Sequence, residues 1–170
     1  RQLIVNPDFD QGIDGYQGWV QNLYLTSSFE DLAGVRHTGA WFGGATETSH
    51  GLYQDITIPQ DAPTAQLSFL WALNPPTLTD TLPPGEALTI TVESTAGHLL
   101  QTLMVIDNAS ERRLWKLATF DLSNYVARRI RFRAVSTTHQ TTTSWYLDKV
   151  HLYTCFFDRD LYLPYLILNP

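Results

Sequence analysis

One stretch near the end of the chain, residues 143–152 (T-S-W-Y-L-D-K-V-H-L), restricts the possible folds more than any other. Its aromatic and β-branched residues favour a β-strand. After Asp148, the apolar residues Val150 and Leu152 alternate with polar ones, whereas the apolar residues before Asp148 follow one another without alternation. We therefore expect the strand to change its buried face beside Asp148, where a β-bulge or a bound cation would explain the change.

The composition of the whole chain also favours strands over helices. Its 170 residues fit one domain of sandwich or barrel size. Threonine is abundant, aromatic residues make up 12%, and lysine occurs only at positions 116 and 149. No segment carries apolar residues at a sustained helical period. An all-β fold follows from these features.

Short apolar runs separated by turn residues recur along the chain. Ala96 and Gly97 fit the two-residue turn of a β-hairpin, and residues 121–125 fit a single helical turn capped by Asp121. We predict a two-sheet antiparallel β-sandwich, a jelly roll, over residues 1–155. The predicted strands are residues 3–5, 16–26, 32–36, 40–45, 52–58, 65–74, 87–95, 98–106, 114–120, 128–136 and 143–152.

Two segments do not fit the pattern of short strands. Residues 156–170 form an apolar tail that is expected to dock on the sandwich as an extra edge strand, with a handle for export or surface attachment as the alternative. The tail is shorter than the ~20 apolar residues of a membrane span, and no other segment approaches that length. Residues 75–86 form a loop with four prolines, and connections of this length are often functional.

Charge and cysteine content exclude several classes of protein. The net charge of −6 and the pI near 5.2 argue against a nucleic-acid binder or a protein of anionic membrane surfaces. Cys155 is the only cysteine, so an intrachain disulfide is impossible. The chain begins at Arg1 rather than Met, and we expect a processed product or a domain of a longer protein.

No motif in the sequence indicates catalysis. The five histidines lie on different predicted elements and share no metal-ligand spacing. Cys155 has aromatic neighbours and is expected to be a small buried residue rather than a nucleophile. Asp55, Glu93 and Asp107 could supply a carboxylate pair of the glycosidase kind, but any β-rich chain offers such pairs. We therefore expect a protein that is not an enzyme, with a small glycan-active enzyme as the weakest alternative.

Six motifs occur in an order that resembles a known family. They are N-P-D-F-D-Q-G (6–12), G-W (18–19), V-R-H-T-G-A-W (35–41), L-Y-Q-D-I-T-I-P (52–59), D-L-S-N-Y (121–125) and W-Y-L-D-K-V-H-L (145–152). This order is similar to that of the galactose-binding-like carbohydrate-binding modules, jelly rolls of extracellular bacterial enzymes and adhesins. In that family the motifs usually read N-G-x-F-E and Y-I-D-D-V-x-L. Pro7, Asp10 and Lys149 depart from this pattern.

The resemblance implies a secreted or cell-surface binding module of a multidomain parent protein, with carbohydrate as its partner. An adhesion or protein–protein module with the same fold is the alternative, and the 75–86 loop and the tail would then be its contact surfaces. The resemblance also implies a structural calcium ion (Ca2+). Its candidate ligands are the carboxylates of Asp8, Asp10 and Asp148 and the backbone carbonyls near His37 and Gly39. The alternative is that these acidic residues form turn hydrogen bonds and cap a bulge.

Exposed aromatic rings would be the natural platform for a sugar, because flat rigid rings stack on sugar faces. Trp71 lies in the most apolar predicted strand and is expected in the core. Tyr53 and Trp115 have polar neighbours on both sides and are expected to be exposed. Together with Trp19, they are the candidate ligand-binding aromatics.

A run of arginines offers a second candidate. In a strand, Arg129, Arg131 and Arg133 project to one face, about 7 Å apart. They can form a solvated face paired with carboxylates, or an anion site that selects acidic polysaccharides such as uronates. Arg129 and Arg131 are the candidate ligand-binding residues of this run.

Overall fold

A computed structural model describes residues 1–12, 15–22, 26–30, 36–74, 83–107, 109–110, 115–140 and 142–155, and for residues 26–30, 36 and 37 only the backbone. These residues form ten strands and one short 3₁₀ turn. They are β1 (Val20–Asn22), β2 (Thr26–Glu30), β3 (Arg36–Gly43), β4 (Ser49–Thr57), β5 (Thr64–Asn74), β6 (Ala87–Ser94), β7 (Leu99–Ile106), β8 (Lys116–Asp121), the turn η1 (Ser123–Tyr125), β9 (Arg129–Thr137) and β10 (Ser144–Cys155).

The strands form two antiparallel five-stranded sheets packed face to face. The front sheet has the order β1-β4-β9-β6-β7, and the back sheet has the order β2-β3-β10-β5-β8. Alternate side chains of both sheets fill the space between them, among them Leu52, Phe69, Phe132 and Trp145. The predicted fold class, an all-β jelly-roll sandwich, is confirmed. Trp71 is 4% exposed and belongs to the core, as predicted.

Strand β10 carries the predicted change of buried face. Trp145 and Leu147 point into the core, and so do Val150 and Leu152 beyond the bulge. The register of β10 against β5 shifts between Asp148 and His151. Lys149 adopts a φ of 50°, the left-handed conformation that absorbs the extra residue. The bulge therefore explains the sequence pattern.

The first residues of the chain pair with its last strand. The N–H of Leu3 donates to the carbonyl of Leu152, and the N–H of Thr154 donates to the carbonyl of Arg1, each at 2.8 Å. Residues 3–5 were predicted as a strand, but only an isolated bridge between Gln2 and Tyr153 forms. The chain leaves this pairing early because residue 6 begins a tight turn.

Asn6 organises that turn from the inside. It is 2% exposed and has a φ of 52°. Its Oδ1 accepts the N–H groups of Asp10 and Gln11, and its Nδ2 donates to the carbonyl of Gly15 at 2.8 Å. Its own carbonyl accepts the indole Nε1–H of Trp19 at 2.9 Å. The turn chemistry predicted for this segment is thus centred on a buried amide.

Several local predictions differ from the structure. The predicted strand 16–26 was too long: residues 16–19 lie before β1 (20–22), and residue 26 begins β2, which belongs to the other sheet. The hairpin around Gly97 is confirmed, with φ of 85° at the glycine. The predicted helical turn is η1, and the Asp121 carboxylate accepts the N–H of Ser123 at 2.9 Å. Cys155 was expected to be buried and is exposed, because it occupies an outward position of β10 beyond the bulge.

Some predictions lie outside the described residues. These are the strand at 32–35, most of the 75–86 loop (75–82) and the tail 156–170. No helix in the described part of the chain is long and apolar enough to cross a membrane.

Candidate functional site

The outer side of the front sheet carries a compact group of polar and charged side chains. In β4, Leu52, Gln54 and Ile56 are buried, so Tyr53 and Asp55 point outward. The arginines of β9 alternate in the same way with buried residues. We call this group the front face. Its members are Tyr53, Asp55, Thr91, Glu93, Arg129, Arg131 and Arg133.

Strand pairing sets the spacing of the front face. Arg131 lies between Asp55 of β4 and Glu93 of β6, which are its partners in the two ladders. Arg133 lies in the same way between Tyr53 and Thr91. Neighbouring strands are about 4.8 Å apart, so each side chain is within reach of the next.

Arg131 is held by three kinds of contact. Its Nε donates to Oδ1 of Asp55 at 2.7 Å and its Nη2 to Oδ2 at 3.3 Å, a bidentate pair. Its Nη2 also donates to the carbonyl of Thr95 at 3.3 Å. The guanidinium carbon lies 3.9 Å from the ring centre of Tyr53, a cation–π contact. The hydrogen bond that Arg131 donates to the Asp55 carboxylate raises the pKa of Arg131.

Arg133 and Glu93 form a second ion pair at the middle of the sheet. The Nη1 of Arg133 lies 3.3 Å and 3.4 Å from the two carboxylate oxygens. Glu93 is only 7% exposed and Thr91 only 9%, although both point away from the core. Neighbouring side chains therefore cover both residues, and the Arg133–Glu93 pair has a fixed position.

The two alternatives for the arginine run can now be compared with the structure. Arg131 and Arg133 are paired with carboxylates, as the first alternative expected. The side chain of Arg129 is 66% exposed, and its Nη2 lies 3.8 Å from Oδ2 of Asp55. Of the three, Arg129 is the guanidinium most open to an external anion.

The predicted aromatic residues do not form one site. Trp19 was a candidate ligand-binding residue, but it is 6% exposed and stacks on Phe9 inside the core, with ring centres 5.1 Å apart. That expectation was wrong because the buried carbonyl of Asn6 satisfies its indole N–H. Tyr53 and Trp115 are both half-buried, but they belong to opposite sheets.

The candidate calcium ligands are only partly brought together. Asp148 is 3% exposed at the bulge, and its Oδ1 accepts the N–H of Lys149 at 2.7 Å. Ala40 pairs with Leu147, so Gly39 comes beside Asp148 one residue further along. Asp8 lies 3.8 Å from Nε2 of His151.

The remaining candidates give less support to a metal site. Asp10 is exposed, and for His37 the structure describes the backbone alone. Within the described residues, no three His, Cys, Asp or Glu side chains form a group that could hold a metal. A calcium ion would therefore need backbone carbonyls for most of its coordination, and the calcium site stays a prediction.

Comparison with known proteins identifies the fold. No family model and no curated protein matches the sequence. Solved structures do match, and one is TmCBM61 in complex with β-1,4-galactotriose, with a TM-score of 0.63 and 14% identity over 91% of this chain and 99% of that one. The fold is that of the jelly-roll carbohydrate-binding modules.

Two further matches share this architecture. A CBM4 structure matches with a TM-score of 0.53 and 15% identity over 89% of this chain and 99% of that one. The arabinose-bound α-L-arabinofuranosidase MgGH51 matches with a TM-score of 0.59 and 15% identity over 92% of this chain. The chain spans 27% of the length of that enzyme. The fold of this chain thus matches a whole chain in one case and part of a larger protein in the other.

Proposed function

We propose that this chain is a non-catalytic carbohydrate-binding module and that the front face binds the glycan. The ion pairs of Arg131 with Asp55 and of Arg133 with Glu93 carry the proposal, because they hold hydrogen-bonding groups in fixed positions on one outward-facing sheet, next to the ring of Tyr53. Glycans present dense hydroxyl groups, and the paired arginines and carboxylates offer them donors and acceptors in fixed positions. Small polar ligands are recognised by a few convergent groups of this kind.

Tyr53 supplies the apolar part of the front face. Arg131 covers one side of its ring, and its direct strand partner on the other edge is Val20, which is 50% exposed. The ring is therefore fixed before any ligand arrives, which lowers the entropic cost of binding. A sugar ring can stack beside it while its hydroxyl groups reach Glu93 and Arg133.

The charges of the front face suggest which glycans it accepts. Three arginines and two carboxylates give a formal charge of +1 (3 − 2) on a chain of net charge −6. Paired ions of this kind donate and accept hydrogen bonds without a large local field, which suits neutral sugars. Arg129 would allow the front face to bind acidic polysaccharides such as uronates as well, because its guanidinium can donate two parallel hydrogen bonds to a carboxylate.

The ion pairs also support a role without catalysis. A glycosidase needs two carboxylates that face the glycosidic bond, one to donate a proton and one to attack or activate water. Asp55 and Glu93 are instead each engaged by an arginine on the neighbouring strand. We extend the proposal to a secreted or cell-surface location within a multidomain parent, where a non-catalytic module would hold an enzyme or adhesin on its polysaccharide.

A glycan array with the 170-residue chain tests the proposal, followed by titration with each glycan that binds. Tyr53→Ala should weaken binding about tenfold, or about 1.4 kcal/mol. Val105→Ala is a matched control, because Val105 is 45% exposed on β7, at the edge of the same sheet that lies farthest from β4 and β1. An array without a single bound glycan, or a Tyr53→Ala variant with unchanged affinity, would refute the front-face site.

One observation favours a second candidate, a protein–protein interaction module. The edge strand β7 exposes Leu99 (61%), Leu100 (44%) and Val105. Exposed edges with apolar side chains can pair with a strand of another chain. If this candidate is correct, substituting Leu99 and Leu100 by Ser abolishes association with a partner and leaves glycan binding unaffected.

A further inference from the structure

The outer side of the back sheet carries a row of aromatic residues that strand register lines up. Trp41 of β3 is the direct partner of Tyr146 in β10, and Tyr146 is the direct partner of Ala72 in β5. The next strand pairs Trp71 with Lys116, so Trp115 comes opposite Ala72. We call Trp41, Tyr146, Ala72 and Trp115 the back row.

The rings of the back row lie outside the core. Ala72 is 6% exposed and yet is not part of the core cluster, so other groups cover it from the outer side of the sheet. The ring centres of Trp115 and Tyr146, whose positions flank Ala72 in the strand register, are 6.3 Å apart. Trp41 is 36% exposed. Strand register thus brings three partly exposed aromatic rings to the outer side of the back sheet, on β3, on β10 and just before β8.

Trp41 is held in one orientation. Its Nε1–H donates to Oγ of Ser144 at 3.0 Å. A side chain at position 44 would collide with the indole, so Gly44, with a φ of 77°, lies directly against the ring. The N–H of Gly44 is in turn bound to the carbonyl of Thr143 at 2.9 Å. An indole fixed in this way loses little freedom when a ligand covers it.

We propose that the back row is a second carbohydrate-binding surface, on the side of the sandwich opposite the front face, and that it takes a neutral polysaccharide. Sugar rings have apolar C–H faces that stack on flat aromatic rings. Ser144 and Asn74, which pair across β10 and β5, add a polar edge beside the rings. A purely apolar docking surface would lack that edge.

Charge limits the ligand to neutral polymers. The four side chains of the back row are uncharged, and the chain as a whole carries −6. An acidic polysaccharide would be repelled at long range without a paired cation in the row to compensate. The back row therefore differs from the front face, where Arg129 is open to anions.

Two binding surfaces on opposite sheets would make the module bivalent. One chain could then bridge two polysaccharide strands, and its affinity for a dense polymer would exceed its affinity for a short oligosaccharide. The back row shares the ligand class of the proposed function but none of the front-face residues. Each of the two proposed sites can therefore be refuted without refuting the other.

The test uses the 170-residue chain, with Trp41→Ala/Trp115→Ala for the back row and Tyr53→Ala for the front face. The probes are β-1,4-galactan, xylan and hydroxyethylcellulose as neutral polymers, with polygalacturonate as the acidic one, measured by affinity electrophoresis and calorimetry. We expect the double variant to lose at least tenfold in affinity for one neutral polymer. The change in affinity for polygalacturonate should be less than twofold.

Ser144→Ala is a second and milder back-row variant, which keeps the proposal testable if the double variant does not fold. It keeps both indoles and frees only the Trp41 ring, so its melting temperature should stay near that of the wild type. Its affinity for the same neutral polymer should fall about threefold, because the Trp41 ring is then no longer held in one orientation before the polymer binds. If the double variant is unfolded, this variant alone decides the matter.

The outcomes separate the two sites. If the double variant loses affinity for a neutral polymer and Tyr53→Ala keeps it, the back row is supported and the front face is refuted. If Tyr53→Ala loses this affinity and the double variant keeps it, the front face is supported and the back row is refuted. Unchanged binding of every neutral polymer by folded back-row variants overturns the back row. The back row is also overturned if the wild type binds no polymer. It is overturned as well if the double variant differs from the wild type only in losing self-association in sedimentation.

Discussion

The backbone N–H of Gly43 donates a hydrogen bond of 3.2 Å to Nδ1 of His50 on the neighbouring sheet. The imidazole nitrogen must be unprotonated to accept it. Gly43 has a φ of 80° and packs against Trp145 and the carbonyl of Thr143, so this contact ties the two sheets together at a tight turn. The strand β3 that ends there also carries Trp41.

This contact predicts a loss of stability at mildly acidic pH. Burial lowers the pKa of His50 below its usual 6.5, so the unfolded state binds more protons than the folded state. The contribution of neutral His50 to the free energy of unfolding is fully present above pH 6.5. It is lost as the pH falls through the pKa of His50 in the folded state. Urea unfolding at pH 7.5 and 5.5 should show a decrease in the free energy of unfolding.

A variant identifies the histidine responsible. His50→Gln keeps an acceptor for the Gly43 N–H but does not titrate, so its stability should depend less on pH than that of the wild type. His98, exposed in the β6–β7 hairpin, is the matched control, and His98→Gln should behave like the wild type. Identical pH dependence in the wild type and His50→Gln would contradict the assignment.

Two tryptophans with similar sequence surroundings should respond very differently to substitution. Trp19 is 6% exposed and contacts Phe9 and Phe132, so Trp19→Ala should cost about 3–5 kcal/mol. Trp41 is 36% exposed on the outer side of the back sheet, and Trp41→Ala should cost about 1–2 kcal/mol. Chemical denaturation of both variants measures the difference. Equal losses would contradict the assignment of Trp41 to the surface.

These two residues also show how far the sequence could predict the site. The alternation of apolar and polar residues and the positions of turn residues are local patterns. They were sufficient to predict the sandwich, the β6–β7 hairpin and the bulge at Asp148. Trp19 was misassigned because its burial depends on the Asn6 carbonyl, 13 residues away. The other aromatic residues of the back row, Tyr146 in β10 and Trp115 just before β8, lie more than 70 residues from Trp41 in sequence. Register between distant strands has no local signal in a single sequence.

The front face was predicted in part for the same reason. The period-two spacing of Arg129, Arg131 and Arg133 is local and was read correctly as one face of a strand. Their carboxylate partners, Asp55 and Glu93, were considered only for a carboxylate pair of the glycosidase kind and not as partners of these arginines, because β4 and β6 precede β9 by many residues. Only the sheet order brings the three strands side by side.

Arg129 should govern the response to acidic glycans. Its side chain is 66% exposed, whereas Arg131 is fixed by Asp55 and Tyr53. If the front face binds uronates, Arg129→Gln should weaken binding of polygalacturonate about threefold at low salt, the size expected for an exposed ion pair. The effect should disappear at 1 M salt, where charges are screened over about 3 Å. Binding of neutral glycans serves as the control, and an equal loss there would exclude a specific anion contact.

The calcium prediction can be tested through Asp148. Asp148 is 3% exposed at the bulge of β10, where its Oδ1 accepts the N–H of Lys149 at 2.7 Å, and a calcium ion would add carboxylate coordination to this contact. Asp8 and Asp10 belong to the turn that reaches this strand through the hydrogen bond from the Val150 N–H to the Pro7 carbonyl. A bound ion would therefore connect the two ends of the chain. At 100 times its Kd, calcium would add about 2.7 kcal/mol to the free energy of unfolding.

We expect the melting temperature to rise on addition of calcium and to fall with excess EDTA. Asp148→Asn should abolish this dependence, because it removes the buried charge that would bind the ion. Asp61→Asn, at an exposed position in the turn between β4 and β5, is the control and should keep the full response. If calcium and EDTA leave the wild-type melting temperature unchanged, Asp8, Asp10 and Asp148 form turn and bulge hydrogen bonds only.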